Sequence, residues 1–179
     1  KERKLVLTWA VTFLLVFPLL IILGLFMRLN QGRVVELDYT QFYAFMTMHG
    51  LGMAGVLFSI AFAGLWYLIS TRITKLNLGV GYFVYVLVLL GFLGLAYGTM
   101  IGNFAAGWYM LYPLPFKGAS WAVSSTQISS VSLIVMGVAW LVGILHLLYA
   151  LAKRYGGFFN LLGWQYLRKG EHEKLPALV

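Results

Sequence analysis

The chain has 179 residues, 61% of them hydrophobic and only 10% charged, with a formal net charge of +8 at pH 7. Soluble domains carry about 25% charged residues, so the composition points to a membrane protein rather than a large soluble core. The absence of cysteine excludes disulfides, thiolate metal sites, iron–sulfur clusters, covalently attached c-type haem and cysteine nucleophiles.

The chain opens with Lys1-Glu2-Arg3-Lys4. This resembles the charged start of a signal peptide, but the apolar run behind it is too long and lacks a small-residue cleavage site. Segment one, from about Leu5 to Met27, has the length of a bilayer span. Pro18 predicts a kink in it, and Arg28 is expected to close it. A polar loop with Arg33, Glu36 and Asp38 follows. Segment two, from about Thr40 to Ile69, carries His49 and is long enough to tilt or protrude. Thr71 to Asn77 forms a short basic loop. Segment three, from about Gly79 to Asn103, is rich in glycine at spacings that let helix backbones approach closely in a bilayer. Phe104 to about Ser125 is expected to be non-helical, because Pro113 and Pro115 forbid a continuous helix and the aromatic residues suit a membrane interface. Segment four, from about Thr126 to Ala152, begins with polar residues that are expected to face protein. The tail, 153–179, mixes aromatic, apolar and basic residues, as an interfacial amphipathic segment does.

The expected fold is therefore all-α: a polytopic membrane domain of four transmembrane helices over 1–152, with a tail over 153–179. Ten basic residues fall on the side of the two termini and the Arg72–Lys75 loop, against Arg28, Arg33 and Lys117 on the other. That asymmetry predicts both termini in the cytoplasm, a multi-pass protein of the plasma (inner) membrane, and a lipid bilayer rather than nucleic acid as the partner of the positive charge.

The segment interiors contain no Asp, Glu, Lys or Arg, so the chain has no buried carboxylate relay of its own. An ionisable residue at membrane depth is a functional candidate. His49 in Phe45-Met46-Thr47-Met48-His49-Gly50 is the leading one. It reads either as a metal or haem ligand, with Gly50 leaving room for a flat macrocycle, or as a buried histidine bonded to a backbone carbonyl. On the predicted topology it lies in the outer half of the membrane. His146 lies near the opposite face and cannot share a metal with it; it reads as an interfacial residue beside Lys153 and Arg154. His172, in the charged tail, reads as solvated. Arg28 is either an ordinary cation at a helix end or a donor to carboxylate or carbonyl groups. Trp108 and Tyr112 read first as interface aromatics.

Three stretches in order, Arg28-Leu29-Asn30-Gln31-Gly32, then Phe45-Met46-Thr47-Met48-His49-Gly50, then Gly107-Trp108-Tyr109-Met110-Leu111-Tyr112-Pro113-Leu114, resemble the first third of haem-copper oxidase subunit I, helices I–IV. The resemblance runs from about Leu5 to Ala152. It implies that His49 is an axial ligand of a low-spin haem of a or b type and that Arg28 bonds a substituent on the haem edge. It places Trp108 beside the haem propionates with the Tyr112-Pro113 turn. The family's second low-spin ligand, its high-spin haem ligand and its copper ligands have no counterpart here. The acid of the family's loop between helices II and III is also missing from Ser70 to Asn77. The resemblance therefore implies part of a split subunit I, not catalytic alone. Partner oxidase subunits would carry the remaining helices, the second haem ligand, the high-spin haem and copper, and electrons would come from cytochrome c or quinol. A standalone low-spin haem-b electron-transfer subunit of another respiratory complex, and a haem-free membrane anchor, are the alternatives.

Overall fold

The computed structural model describes residues 1–107 and 120–171. Helix α1 spans Glu2–Gln31, α2 Tyr39–Arg72, α3 Leu78–Ala96 and α4 Val123–Tyr155, and two short helices, α5 Phe158–Leu161 and α6 Trp164–Lys169, follow. A five-residue π-helical turn, Tyr97–Ile101, extends α3. Four helices are long and apolar enough to cross a membrane, with α3 and its π turn counted together. The shortest of the four has 24 residues; at 1.5 Å per residue it still exceeds the roughly 30 Å of bilayer hydrocarbon.

Helices α1, α2 and α4 run past the apolar stretches that announce them, whereas α3 with its π turn ends at Ile101, just short of Asn103. Helix α1 continues through Pro18 without a break and goes one turn beyond Arg28 to Gln31. The loop end of α2 is set by a reciprocal capping box: Asp38 Oδ1 accepts the Gln41 backbone N–H at 2.9 Å, and the Gln41 side chain accepts that of Asp38. Such a box satisfies two of the amide donors that every helix start leaves free. At the other end of the bundle, Asn77 Oδ1 caps α3 by accepting the Gly79 N–H at 2.9 Å. Helix α4 starts at Val123, earlier than its apolar run suggests, and continues to Tyr155, taking Lys153 and Arg154 into its last turn.

The helices pair as α1 with α2 and α3 with α4. Both pairs are antiparallel, since contact numbers rise on one helix as they fall on the other. Gly24 meets His49 and Leu20 meets Gly52. In the second pair Gly91, Gly94, Gly98 and Gly102 lie against Met136, Ser132, Ser129 and Ser125 in that order. A Cβ on Gly91 would stand 2.8 Å from the Ser132 carbonyl oxygen, so backbone meets backbone there as small-residue stripes allow. The polar start of segment four does face protein: Ser125, Thr126, Ser129 and Ser132 are buried.

Aromatic side chains join the two pairs. Trp9 touches Phe13, Phe62 and Tyr85 with ring centroids 5.4–5.6 Å apart, in the range of favourable aromatic contact. Thr12 and Tyr85 hydroxyls bond at 2.8 Å between α1 and α3, and Phe62 from α2 reaches the bare backbone of Gly143 on α4. The outward faces of the four helices are apolar, with Leu15, Leu57, Ile101 and Ile134 all exposed. Bilayer hydrocarbon would solvate such a surface, whereas water would not.

A candidate haem-ligand site between the first two helices

The site lies near the 32–38 loop, where α1 ends and α2 begins. From α1, Gly24, Met27, Arg28 and Gln31 face a cavity of about 420 Å³, and from α2 it is lined by Phe42, Met46, His49 and Gly50. The lining positions on each helix recur three or four residues apart, so each set forms one stripe. Helix pairing brings the two stripes together. The volume lies within the ~300–1,000 Å³ typical of cofactor sites.

His49 is ten residues into α2, roughly 15 Å along its axis. Its Nδ1 lies 2.7 Å from the carbonyl oxygen of Leu20 on α1. A carbonyl only accepts, so Nδ1 carries the proton and donates. Nε2 is then the lone-pair nitrogen, and among the described residues it has no hydrogen-bond partner. The carbonyl bond is the one expected of a structural histidine, and it is equally compatible with ligation, because ligating histidines commonly donate their other N–H to a carbonyl. His49 lines the cavity, and an Nε2 that keeps its lone pair is what a ligand would need.

Two α1 groups, the Leu20 carbonyl and Gly24, make this geometry. A Cβ at Gly24 would stand 2.8 Å from His49 Cε1 and 3.1–3.2 Å from both ring nitrogens. The imidazole therefore fills the space a side chain would take. The missing side chain also uncovers the Leu20 carbonyl one turn earlier. Gly24 is the single glycine of α1, which is the signal that marks it in the sequence.

Arg28 follows Gly24 by one turn and lines the same cavity. Its Nη1 donates to Gln31 Oε1 at 2.8 Å, which steadies the guanidinium, and among the described residues its other donors have no partner. Gly50 is also in the lining. Trp108 and Tyr112 lie outside the described residues, as does His172. The chain that leads to Trp108 is tied to the site, however. Thr47, fully buried on α2, donates to the Tyr43 carbonyl at 2.7 Å and accepts the Gly107 N–H at 2.8 Å.

The remaining histidine stands elsewhere. His146 Nε2 accepts the Asn77 backbone N–H at 3.1 Å, and its ring stacks on Trp66 with centroids 5.6 Å apart. Trp66 is seventeen residues beyond His49 on α2, about 25 Å, so the two imidazoles belong to opposite ends of the bundle. Among the described residues no three His, Cys, Asp or Glu side chains gather to enclose a metal ion. What these residues offer is one oriented imidazole nitrogen, a guanidinium and a half-apolar slot. Such residues could hold a flat, anionic, metal-bearing group.

No protein-family model, no curated protein and no solved structure matches this chain.

Proposed function

We propose that the chain is a subunit of a respiratory haem-copper terminal oxidase, forming the N-terminal part of a split subunit I. It crosses the plasma membrane four times with both ends in the cytoplasm, and its haem site lies in the outer half of the bilayer. The observation that carries this reading is the His49–Leu20 bond at 2.7 Å, which leaves Nε2 with its lone pair on a histidine that lines a cavity together with Arg28. The order of the Arg28, His49 and Trp108 motifs supports it.

A low-spin haem of a or b type, when bound, supplies a one-electron relay between cytochrome c or quinol and an oxygen-reducing centre in a partner chain. The residues of this chain have separate tasks. His49 would offer Nε2 to the iron, and the Leu20 carbonyl fixes its tautomer and ring plane. Gly24 and Gly50 keep the neighbourhood thin. Arg28 offers charged donors to an anionic or carbonyl-bearing substituent. Thr47 holds the segment that runs on to Trp108 and Tyr112, for which the family resemblance provides places beside the propionates. A second haem ligand, the high-spin haem and copper would come from the partner.

Native purification of the complex through this chain tests the reading. The expected result is a co-purifying chain with further membrane spans, copper, and a haem that binds carbon monoxide. Low-spin haem alone, without copper or a carbon-monoxide-reactive centre, would instead identify a haem-b electron-transfer subunit.

A further inference from the structure

The two ends of the bundle differ in charge in a way that haem binding does not use. Leu5 against Gly81, and His146 bonded to Asn77, gather one set of helix ends together. The described residues there hold nine lysines and arginines, from Lys1 to Lys169, and two acids, Glu2 and Glu171. Around the 32–38 loop, Arg28 and Arg33 are balanced by Glu36 and Asp38.

At the basic end the chain turns under the bundle. Gly156, at φ 76°, ends α4, and Gly157, at φ 141°, starts α5, backbone angles that favour glycine. Leu161 is buried in the main core and pins the segment to the helices above. The outward side of the same segment is apolar and cationic together. Phe159 is 74% and Trp164 65% exposed, with Phe158 and Leu167 exposed beside them. Trp164, Leu167 and Arg168 share one face of α6, at i, i+3 and i+4. Arg168 and Lys169 are exposed.

We propose that residues 156–171 form a foot that docks on the anionic phospholipid headgroups of the leaflet at the basic end. Phe159 and Trp164 enter the boundary of the acyl chains, and Arg168 and Lys169 meet the headgroup phosphates. An apolar slot on a partner would take the rings but strand the two cations. An acidic soluble partner would take the cations but leave the rings in water. The headgroup–acyl boundary of an anionic leaflet satisfies both at once. The proposal rests on the four-span reading and is independent of the haem.

Amide hydrogen exchange of the full chain tests it, in nanodiscs of phosphatidylcholine alone and of phosphatidylcholine with about one-third phosphatidylglycerol. Each basic side chain near an anionic leaflet contributes about fivefold in occupancy. Protection of 158–169 should therefore be roughly tenfold or more greater with phosphatidylglycerol, and should fall as salt is raised. The double variant R168Q/K169Q changes only exposed side chains and should lose the lipid dependence, with exchange in α1–α4 unaltered. Equal protection in both lipids would overturn the proposal. So would protection that arises only when a partner chain is present, since a protein would then cover this face.

Discussion

His49 and Leu20, twenty-nine residues apart, are joined by a 2.7 Å hydrogen bond from an imidazole N–H to a backbone carbonyl. Within a helix the Leu20 carbonyl already serves the amide one turn on, and its second lone pair takes the imidazole. One bond thus ties α1 to α2, selects the tautomer and leaves Nε2 as the basic nitrogen. Everything proposed for the site depends on that proton being on Nδ1.

Gly24→Ala should dislodge the imidazole. The added methyl would stand 2.8 Å from Cε1, and overpacking of this kind costs about 1–3 kcal/mol. The expected outcome is loss of the low-spin haem spectrum together with a lower unfolding temperature of the solubilised complex. A normal spectrum in this variant would mean that the ring has another resting place.

Thr47→Val should release the segment that leads to Trp108. Valine keeps the shape but leaves the buried Gly107 N–H, now 2.8 Å from the hydroxyl, without an acceptor, at a cost of about 1–3 kcal/mol. Thr47→Ser keeps the hydroxyl and should behave much more like the wild type. Hydrogen exchange at Gly107 separates the two, fast in the valine variant and slow in the serine one. Equal rates would show that the hydroxyl does not hold the loop.

Alanine at two glycines should act with opposite sign. At Gly91 a Cβ meets the Ser132 carbonyl at 2.8 Å, so Gly91→Ala should force α3 and α4 apart and cost about 1–3 kcal/mol. At Gly137 an added Cβ would meet none of the described residues outside its own helical turns within 4 Å, and Gly137→Ala should stabilise α4 by about 0.5–1 kcal/mol. Thermal unfolding of both variants in one detergent measures the difference. Similar shifts of the same sign would contradict the close α3–α4 approach.

His146→Leu should spare the haem. It removes the acceptor of the Asn77 N–H, a loss on the order of 1 kcal/mol, at the end of the bundle remote from His49. Faster exchange at Asn77 with an unchanged haem spectrum is the expected result. Loss of the low-spin band would bring His146 into the ligand set.

Much of this was legible in the sequence because the four apolar runs are long and uninterrupted by charge. Their limits were less so. Asp38 and Gln41 begin α2 by capping, and α4 carries Lys153 and Arg154 as a helical turn, so charge alone does not mark where a helix stops. Pro18 does not end α1, which continues through it; a proline removes one amide donor, and the packing of Phe13 and Leu20 on either side holds the helix in place. His49 stood out as an ionisable group in an apolar run. Its partners did not, because one is a backbone carbonyl and the other an absent side chain on a different helix. Thr47 and Gly107 meet across sixty residues, a pairing that only the folded bundle creates. His146 was expected near Lys153 and Arg154 and lies on the same helix, but its partners, the Trp66 ring and the Asn77 amide, come from other parts of the chain.

The most direct test of the central claim is a reduced-minus-oxidised spectrum of the native complex purified with His49→Ala. Loss of the sharp low-spin haem band, with the carbon-monoxide-reactive signal retained, is the result expected if Nε2 of His49 binds the iron. A spectrum identical to that of the wild type would contradict it, and His49 would then be a structural histidine fastened to Leu20.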